Sequence, residues 1–293
     1  GSSKKEVNDS YLEGVQRQVV ALLEKLTPDN IRPISLSLSY LIERYFWCTT
    51  AYEIAGPASV PKIPWSEFAK MRAIYSSILL EKEINQNQPF LLLCLDLSGI
   101  QSFIYNIHSS KAANSLKGRS LYLQLLNDHL LRRLATATKI HEGFIVYSSG
   151  GKSFLLLPNT ALNQRAIIQE RNNIEEELLQ EHKLEIFACL DFIPFGIILN
   201  NKGGQQVSCQ EIKQDGKLVD DISGLFEALI QKASNRKKVR YESTLSNQNG
   251  FETLFKVKPS QHGGDIKTCA VTGERFKARN EAKYILNYVG RMP

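Results

Sequence analysis

Two short stretches hold the residues with the clearest chemical potential. The first, Asp96-Leu97-Ser98-Gly99, closes a run of apolar residues. The second, Ser149-Gly150-Gly151-Lys152-Ser153, separates two apolar runs. A carboxylate at a strand end is a place to hold a divalent cation, and paired cations stabilise the attacking and leaving oxygens of phosphoryl transfer. Here one stretch offers a single acid, and the other offers Lys152, whose charge repels a cation. Gly150 and Gly151 let a phosphate or base approach the backbone, and Lys152 suits a phosphate. Both stretches also have plain structural uses, since Gly-Gly makes a tight turn and Asp96 is a candidate cap for a helix starting at Gly99. Lys111, Lys117 and Arg119 put three cations into the neighbouring loop and helix start, either for phosphate, nucleotide or RNA contact or as a solvated basic loop. A further cluster, Lys232, Arg236, Lys237, Lys238 and Arg240, is either a solvated helix end, the commoner use, or a face for nucleotide or RNA, for which only Tyr241 adds an aromatic.

The elements that must position these residues follow from periodicity. Apolar residues at helical spacing predict helices over about 9–26, 34–55 and from Trp65 to about 85, with the breaker Gly56-Pro57 and Pro61 between the last two. The run Phe90 to Leu97 has strand length and no polar face, which fits a strand buried on both sides. A short helix over 99–109 and a polar loop to Gly118 precede a helix over about 119–137. Gly143–Tyr147 and Ser153–Leu157 form a hairpin around Gly150-Gly151. Pro158-Asn159-Thr160 ends it and caps a helix over 161–182, and a last strand covers 184–192. The order βαββαβ predicts an α+β, ferredoxin-like fold with an antiparallel sheet and helices on one face. A polar stretch over 200–220 and a helix over about 222–238 follow. The expected domains are therefore a helical region over 1–88, a palm over 89–200, and a mostly helical extension over 201–293.

A βαββαβ palm is the scaffold of polymerases and nucleotide cyclases. Where the cyclase GGDEF hairpin has Asp and Glu, this hairpin has Lys152 and Ser153, so the palm reads as degenerate and non-catalytic. Three blocks resemble one family in particular. They are Asp96-Leu97-Ser98-Gly99-Ile100-Gln101-Ser102-Phe103-Ile104-Tyr105, then Ala112-Ala113 with Leu116-Lys117-Gly118-Arg119-Ser120, then Ser149-Gly150-Gly151-Lys152-Ser153-Phe154 running to Pro158. In this order and spacing they are similar to the first palm of the large subunit of type III-A CRISPR effector complexes. The likeness extends more weakly to Thr49-Thr50-Ala51-Tyr52-Glu53-Ile54-Ala55.

The resemblance implies an RNA-guided antiviral complex with an HD nuclease, two palms and a Cys-rich insertion in its large subunit. In that family the second palm, with a GGDD motif, makes cyclic oligoadenylate from ATP with Mg²⁺. The first palm completes half of the ATP site. By that resemblance, Asp96, Ser98, Gly99, Ser149, Gly150, Gly151 and Lys152 are the nucleotide half-site, and Lys111, Lys117 and Arg119 are RNA or phosphate contacts. Expected partners are other type III-A subunits, especially the small subunit holding the guide 5′ end, together with CRISPR RNA, target RNA and ATP. The sequence departs from the family pattern in three places. Residues 1–107 contain no His, so there is no HD site, and no GGDD occurs, since Gly263-Gly264-Asp265 continues as Ile266. Only Cys269 and His262 stand where the family's zinc insertion has paired thiolates, so no structural zinc and no catalytic metal are expected.

Composition sets the outer limits. The 293 residues carry 36 Lys plus Arg against 30 Asp plus Glu, a net charge of +6 that permits a nucleic-acid partner without demanding one. Five Cys with no Cys-x-x-Cys make no disulfide framework, which fits a reduced, cytoplasmic chain. No apolar stretch has membrane-span length, and Gly1-Ser2-Ser3 is read as an expression remnant. Two other readings remain at this level. One is a stand-alone cyclase or polymerase-like palm using Asp96 with Asp191 or another acid; the other is a ferredoxin-like RNA-binding module.

Overall fold

The structure, a computed structural model, describes residues 2–47, 63–105, 112–182, 184–200, 204–213, 215–246 and 250, with short strand pieces at 267–268 and 275–276. The stretch Thr49 to Ala55, Lys111, His262, the turn at Gly263-Gly264-Asp265 and Cys269 lie outside the described residues.

The N-terminal region is helical, as α1 (Ser2–Leu23), α2 (Ile31–Phe46) and α3 (Trp65–Leu79). Helices α1 and α2 pack on each other, and Gln18 Nε2 donates to Tyr45 Oη at 3.1 Å. Ser35 of α2 meets His141 Nε2 at 2.7 Å. His141 Nδ1 accepts from the Gly143 N–H, so Nε2 carries the ring proton and donates to the serine.

The apolar run becomes β1 (Phe90–Ser98), followed by α4 (Ile100–Tyr105) and α5 (Ala112–Ala137). Then come β2 (Ile145–Ser149), β3 (Lys152–Pro158), α6 (Ala161–His182), β4 (Phe187–Leu199), β5 (Gln205–Cys209), α7 (Ile222–Arg236) and α8 (Glu242–Leu245). A two-residue ladder pairs β6 (Lys267–Thr268) with β7 (Arg275–Phe276). The main sheet has the order β2-β3-β1-β4-β5 and is antiparallel throughout. Its first four strands have the ferredoxin-like order that βαββαβ predicts.

Alternation explains why β1 is apolar throughout. Leu91, Leu93, Leu95 and Leu97 enter a core with α5 and α6 residues such as Leu130, Leu134, Ile167 and Ile174. Phe90, Leu92 and Cys94 enter a second core with Ile74 and Ile78 of α3 and Leu225, Leu229 and Ala233 of α7. Helices therefore cover both faces, not one. The palm's own α5 and α6 sit on the predicted side, and the flanking α3 and α7 close the other.

Element ends differ from expectation in two informative places. Helix α5 begins at Ala112, so Lys117 and Arg119 lie within a helix. Gly118 does not stop it, since an interior glycine costs only about 1 kcal/mol. Strand β4 runs through Pro194 to Leu199, beyond the expected end at Phe192. Strand β5 pairs with β4 only from Phe195 onward, so the ladder bond that Pro194 lacks is not required on that edge. Helix α6 matches its expected span, and Thr160 Oγ1 caps it by accepting from the Asn163 N–H at 3.1 Å.

Candidate functional site

The hairpin turn and the end of β1 meet. Gly150 and Gly151 have φ of +61° and +81°, as a tight turn requires. The Leu97 N–H donates to the Gly151 carbonyl at 2.8 Å. A Cβ on Gly151 would stand 2.3 Å from Ile100 Cδ1, so glycine is what lets the turn close onto α4. Gly99, at φ +91°, passes so close to the Glu185 carbonyl that a Cβ there would be 1.8 Å from its oxygen. Gly151 thus joins the two stretches singled out by sequence, and Gly99 seats the first of them against the segment before β4.

Register places the side chains. Asp96 lies opposite Lys152 of β3 on one side and Cys189 of β4 on the other, and Lys152 lies opposite Ser149 of β2. Directly opposed residues in an antiparallel pair share a face, so Ser149, Lys152, Asp96 and Cys189 form one row. The row faces α7, because Cys94 and Phe154, two positions along, lie in the α3/α7 core. Ser153 points the other way, buried with Asn127 of α5 and with Ser148.

The basic cluster is not a solvated helix end. It lies over the end of the sheet and spends most of its charges there. Lys237, the residue after α7, bonds Asp96 Oδ2 at 3.2 Å. Arg236 bonds Asp191 Oδ2 at 3.1 Å, and Arg240 reaches Ser98 Oγ at 3.5 Å. Lys232 pairs with Glu211 at 2.8 Å. Sequence reading missed Lys237 and Arg240 as site residues, although the cluster itself was the signal. Linear distance hid them, since about 140 residues separate them from Asp96 and Ser98.

Asp96 does not cap α4; its carboxylate turns to Lys237 instead. Beside it, Leu97, Ser98, Gly99, Ile100, Gln101, Ser102 and Lys237 line an open cleft of about 430 Å³. Two of the proposed RNA or phosphate contacts are described, and neither lines it. Lys117 is exposed on α5. Arg119 is only 3% exposed, bonds the Phe103 carbonyl and stacks over the Phe103 ring. Arg119 is therefore an internal strut between α4 and α5, which removes it from surface contact with RNA or phosphate.

The site does not fit a pair of divalent cations. Asp96 is the row's one carboxylate, Lys152 stands opposite it, and the Lys237 ammonium already neutralises it. Asp191, the other acid weighed from sequence, is 7% exposed and held by Arg236 and the Phe192 N–H, so it is a buried strut. Among the described residues no three His, Cys, Asp or Glu are placed to hold a metal ion. Burial pushes the Cys94 and Cys189 thiols up to about 12, with the Asp96 charge adding to both, so neither is a thiolate nucleophile at neutral pH. Burial likewise raises the Glu175 carboxyl, which shares a charged seam with Arg171, Arg236 and Glu242.

A ferredoxin-like βαββαβ sheet with helices on both faces, its strand-end acid paired with a lysine, defines the fold class as α+β. Residues 89–257 match the family model for Csm1 subunit domain B. A Mycobacterium tuberculosis protein, the CRISPR system single-strand-specific deoxyribonuclease Cas10/Csm1 of subtype III-A, is 31% identical over 220 residues. That match covers 71% of this chain and 25% of the relative, so the chain spans about a quarter of that protein. An Enterococcus italicus protein of the same description is 32% identical over 121 residues, 41% of this chain and 16% of the relative. Among solved structures, a Csm1–Csm4 cassette in complex with AMPPNP superposes with a TM-score of 0.61 at 20% identity, covering 83% of this chain and 31% of that one. The chain belongs to the Csm1 family of type III-A CRISPR large subunits.

Proposed function

We propose that the chain serves as the non-catalytic first palm of a type III-A large subunit. Residues 1–88 lead into it, and residues 201–293 lead toward a degenerate zinc-finger-like insertion. In this role the strand-end cleft, with Asp96, Ser98, Gly99, Ser149, Gly150, Gly151 and Lys152 around it, is half of an ATP site. A second, catalytic palm completes that site and makes cyclic oligoadenylate with Mg²⁺. The observation that carries the reading is the ion pair between Asp96 and Lys237 opposite Lys152, an arrangement that suits phosphates and repels catalytic cations. Solved Csm1–Csm4 cassettes in complex with AMPPNP and with one ATP support a nucleotide as the ligand class. They also support a further type III-A subunit as partner. CRISPR RNA and target RNA are engaged through the assembly. The RNA-binding-module alternative loses support because α3 and α7 cover the sheet face such a module leaves open.

The test has two arms. Incubated with ATP and Mg²⁺, this chain makes no oligoadenylate; robust synthesis overturns the non-catalytic assignment. In the assembled effector complex, a photoreactive ATP analogue labels the segments around 96–102 and 149–152, whereas labelling confined elsewhere overturns the half-site.

A further inference from the structure

We infer that Lys237 is the residue that grips phosphate in the strand-end cleft, and that Asp96 is its positioning partner. This reverses the logic of an active palm, where the strand-end carboxylate holds a cation that in turn holds the phosphate. The inference rests on the nucleotide reading above and deepens it by naming the part of the nucleotide bound and the residue that binds it.

Four observations carry it. First, the backbone at Lys237 is fixed, because α7 is anchored by Leu225, Leu229 and Ala233 in the core under the sheet. Second, Asp96 holds the ammonium at 3.2 Å. An ammonium has three N–H donors. The other two have no partner among the described residues, while the side chain is 34% exposed and lines the cleft. Third, the surroundings are cationic. Lys152 stands opposite Asp96 without an ion-pair partner among the described residues, and Arg240 reaches Ser98 with its Nε buried and unbonded. Three cations thus surround one carboxylate. A divalent cation entering there would have to displace an ammonium and face two further positive charges, whereas an oligophosphate meets complementary charge. Fourth, the cleft also offers the Ser98 hydroxyl, whose oxygen takes the Arg240 contact and leaves its proton to donate; the Ser102 hydroxyl is already spent on the Gly99 carbonyl. Lysine is a flexible side chain, so holding it in place before the ligand arrives lowers the entropy lost on binding. That is what Asp96 contributes, and it gives an acid a use in a site with no room for a metal pair.

The experiment titrates the 293-residue chain with AMP, ADP, ATP and inorganic tripolyphosphate, with Mg²⁺ or with excess EDTA, following amide shifts by NMR. Affinity is expected to rise with phosphate number and to survive EDTA. Lys237→Met is expected to weaken ATP about 10-fold or more and to flatten the phosphate series, while Lys237→Arg restores it. Asp96→Asn is expected to weaken ATP by about 3-fold, the smaller loss that fits a positioning role. The double variant D96N/K237M leaves no orphan carboxylate; it should stay folded and bind no more weakly than K237M. A purely structural role would leave the phosphate series intact.

Equal ATP binding by wild type and K237M overturns the inference while the nucleotide reading stands. So does Mg²⁺-dependent binding that D96N loses and K237M keeps. Lys237-dependent binding of tripolyphosphate without any gain from adenosine upholds the grip and overturns the nucleotide reading. Binding of neither anion overturns both.

Discussion

On one face of the sheet, Leu91, Leu93, Leu95 and Leu97 of β1 pack among apolar residues of α5 and α6 such as Leu130, Leu134, Ile167 and Ile174. On the other, the row that begins with Phe90, Leu92 and Cys94 continues into Asp96 and Ser98, under the cations that end α7. Both rows belong to one strand, and a single step of alternation separates them. The first face is where the fold is stabilised. The second is a core for most of its length and a charged cleft at its end. The lesson is that the strand-end carboxylate is held by an internal ammonium, not left open. Alternation also makes the two roles inseparable, because a one-residue slip of β1 would bury Asp96 among leucines.

Five measurements test how separate the faces are. The largest effect is expected at their junction. Gly99→Ala places a Cβ 1.8 Å from the Glu185 carbonyl oxygen at a φ of +91°, and should cost upward of about 4 kcal/mol in denaturant unfolding. A loss below about 1 kcal/mol would mean the β1–α4 turn does not need the contact. Next, Leu93→Ala should cost about 2–5 kcal/mol by opening a cavity on the dry face, and should leave the phosphate dependence of nucleotide binding unchanged.

The third test uses pH. Cys94 and Cys189 lie on the α7 face and titrate near 12 when folded, against 9.0 when exposed. Between those values the unfolded chain has lost protons that the folded chain keeps. Stability therefore falls as pH rises, by about 1.4 kcal/mol per pH unit for each thiol. Comparing unfolding midpoints at neutral and alkaline pH in wild type and in C94A/C189A isolates this slope, and equal slopes would count against burial of the thiols.

The smallest effects on stability come from polar groups. Ser153→Ala, which breaks the buried link to Asn127 and Ser148, should cost about 1 kcal/mol. Lys237→Met should cost less than about 1 kcal/mol, because the ion pair is partly exposed. The sharpest contrast is therefore between Leu93, large in stability and silent in binding, and Lys237, small in stability and decisive in binding.

Much of this was readable without coordinates. The apolar run of β1, the Gly-Gly hairpin and the Thr160 cap are local signals, and each appears at its place. The pairing of the Asp96 and Gly150-Gly151 stretches was also legible, because βαββαβ order brings a first strand beside a central hairpin. Arg119 was misjudged for a local reason. Gly118 looked like a boundary, so an arginine inside a helix was placed at the helix start beside a polar loop. The β4–β5 extension was hidden by Pro194, and the role of the basic cluster by the linear distance between α7 and β1.

Residue order alone therefore determined the palm, the absence of a second carboxylate in its two defining stretches, and the family. Those depend on periodicity, turn chemistry and residue type, all of which act over a few neighbours. Tertiary structure alone decided what Asp96 does. Whether a lone carboxylate caps a helix, binds a metal or steers a lysine depends on what packs above it. Here that is the end of α7, delivered by its own apolar face to the open side of the sheet.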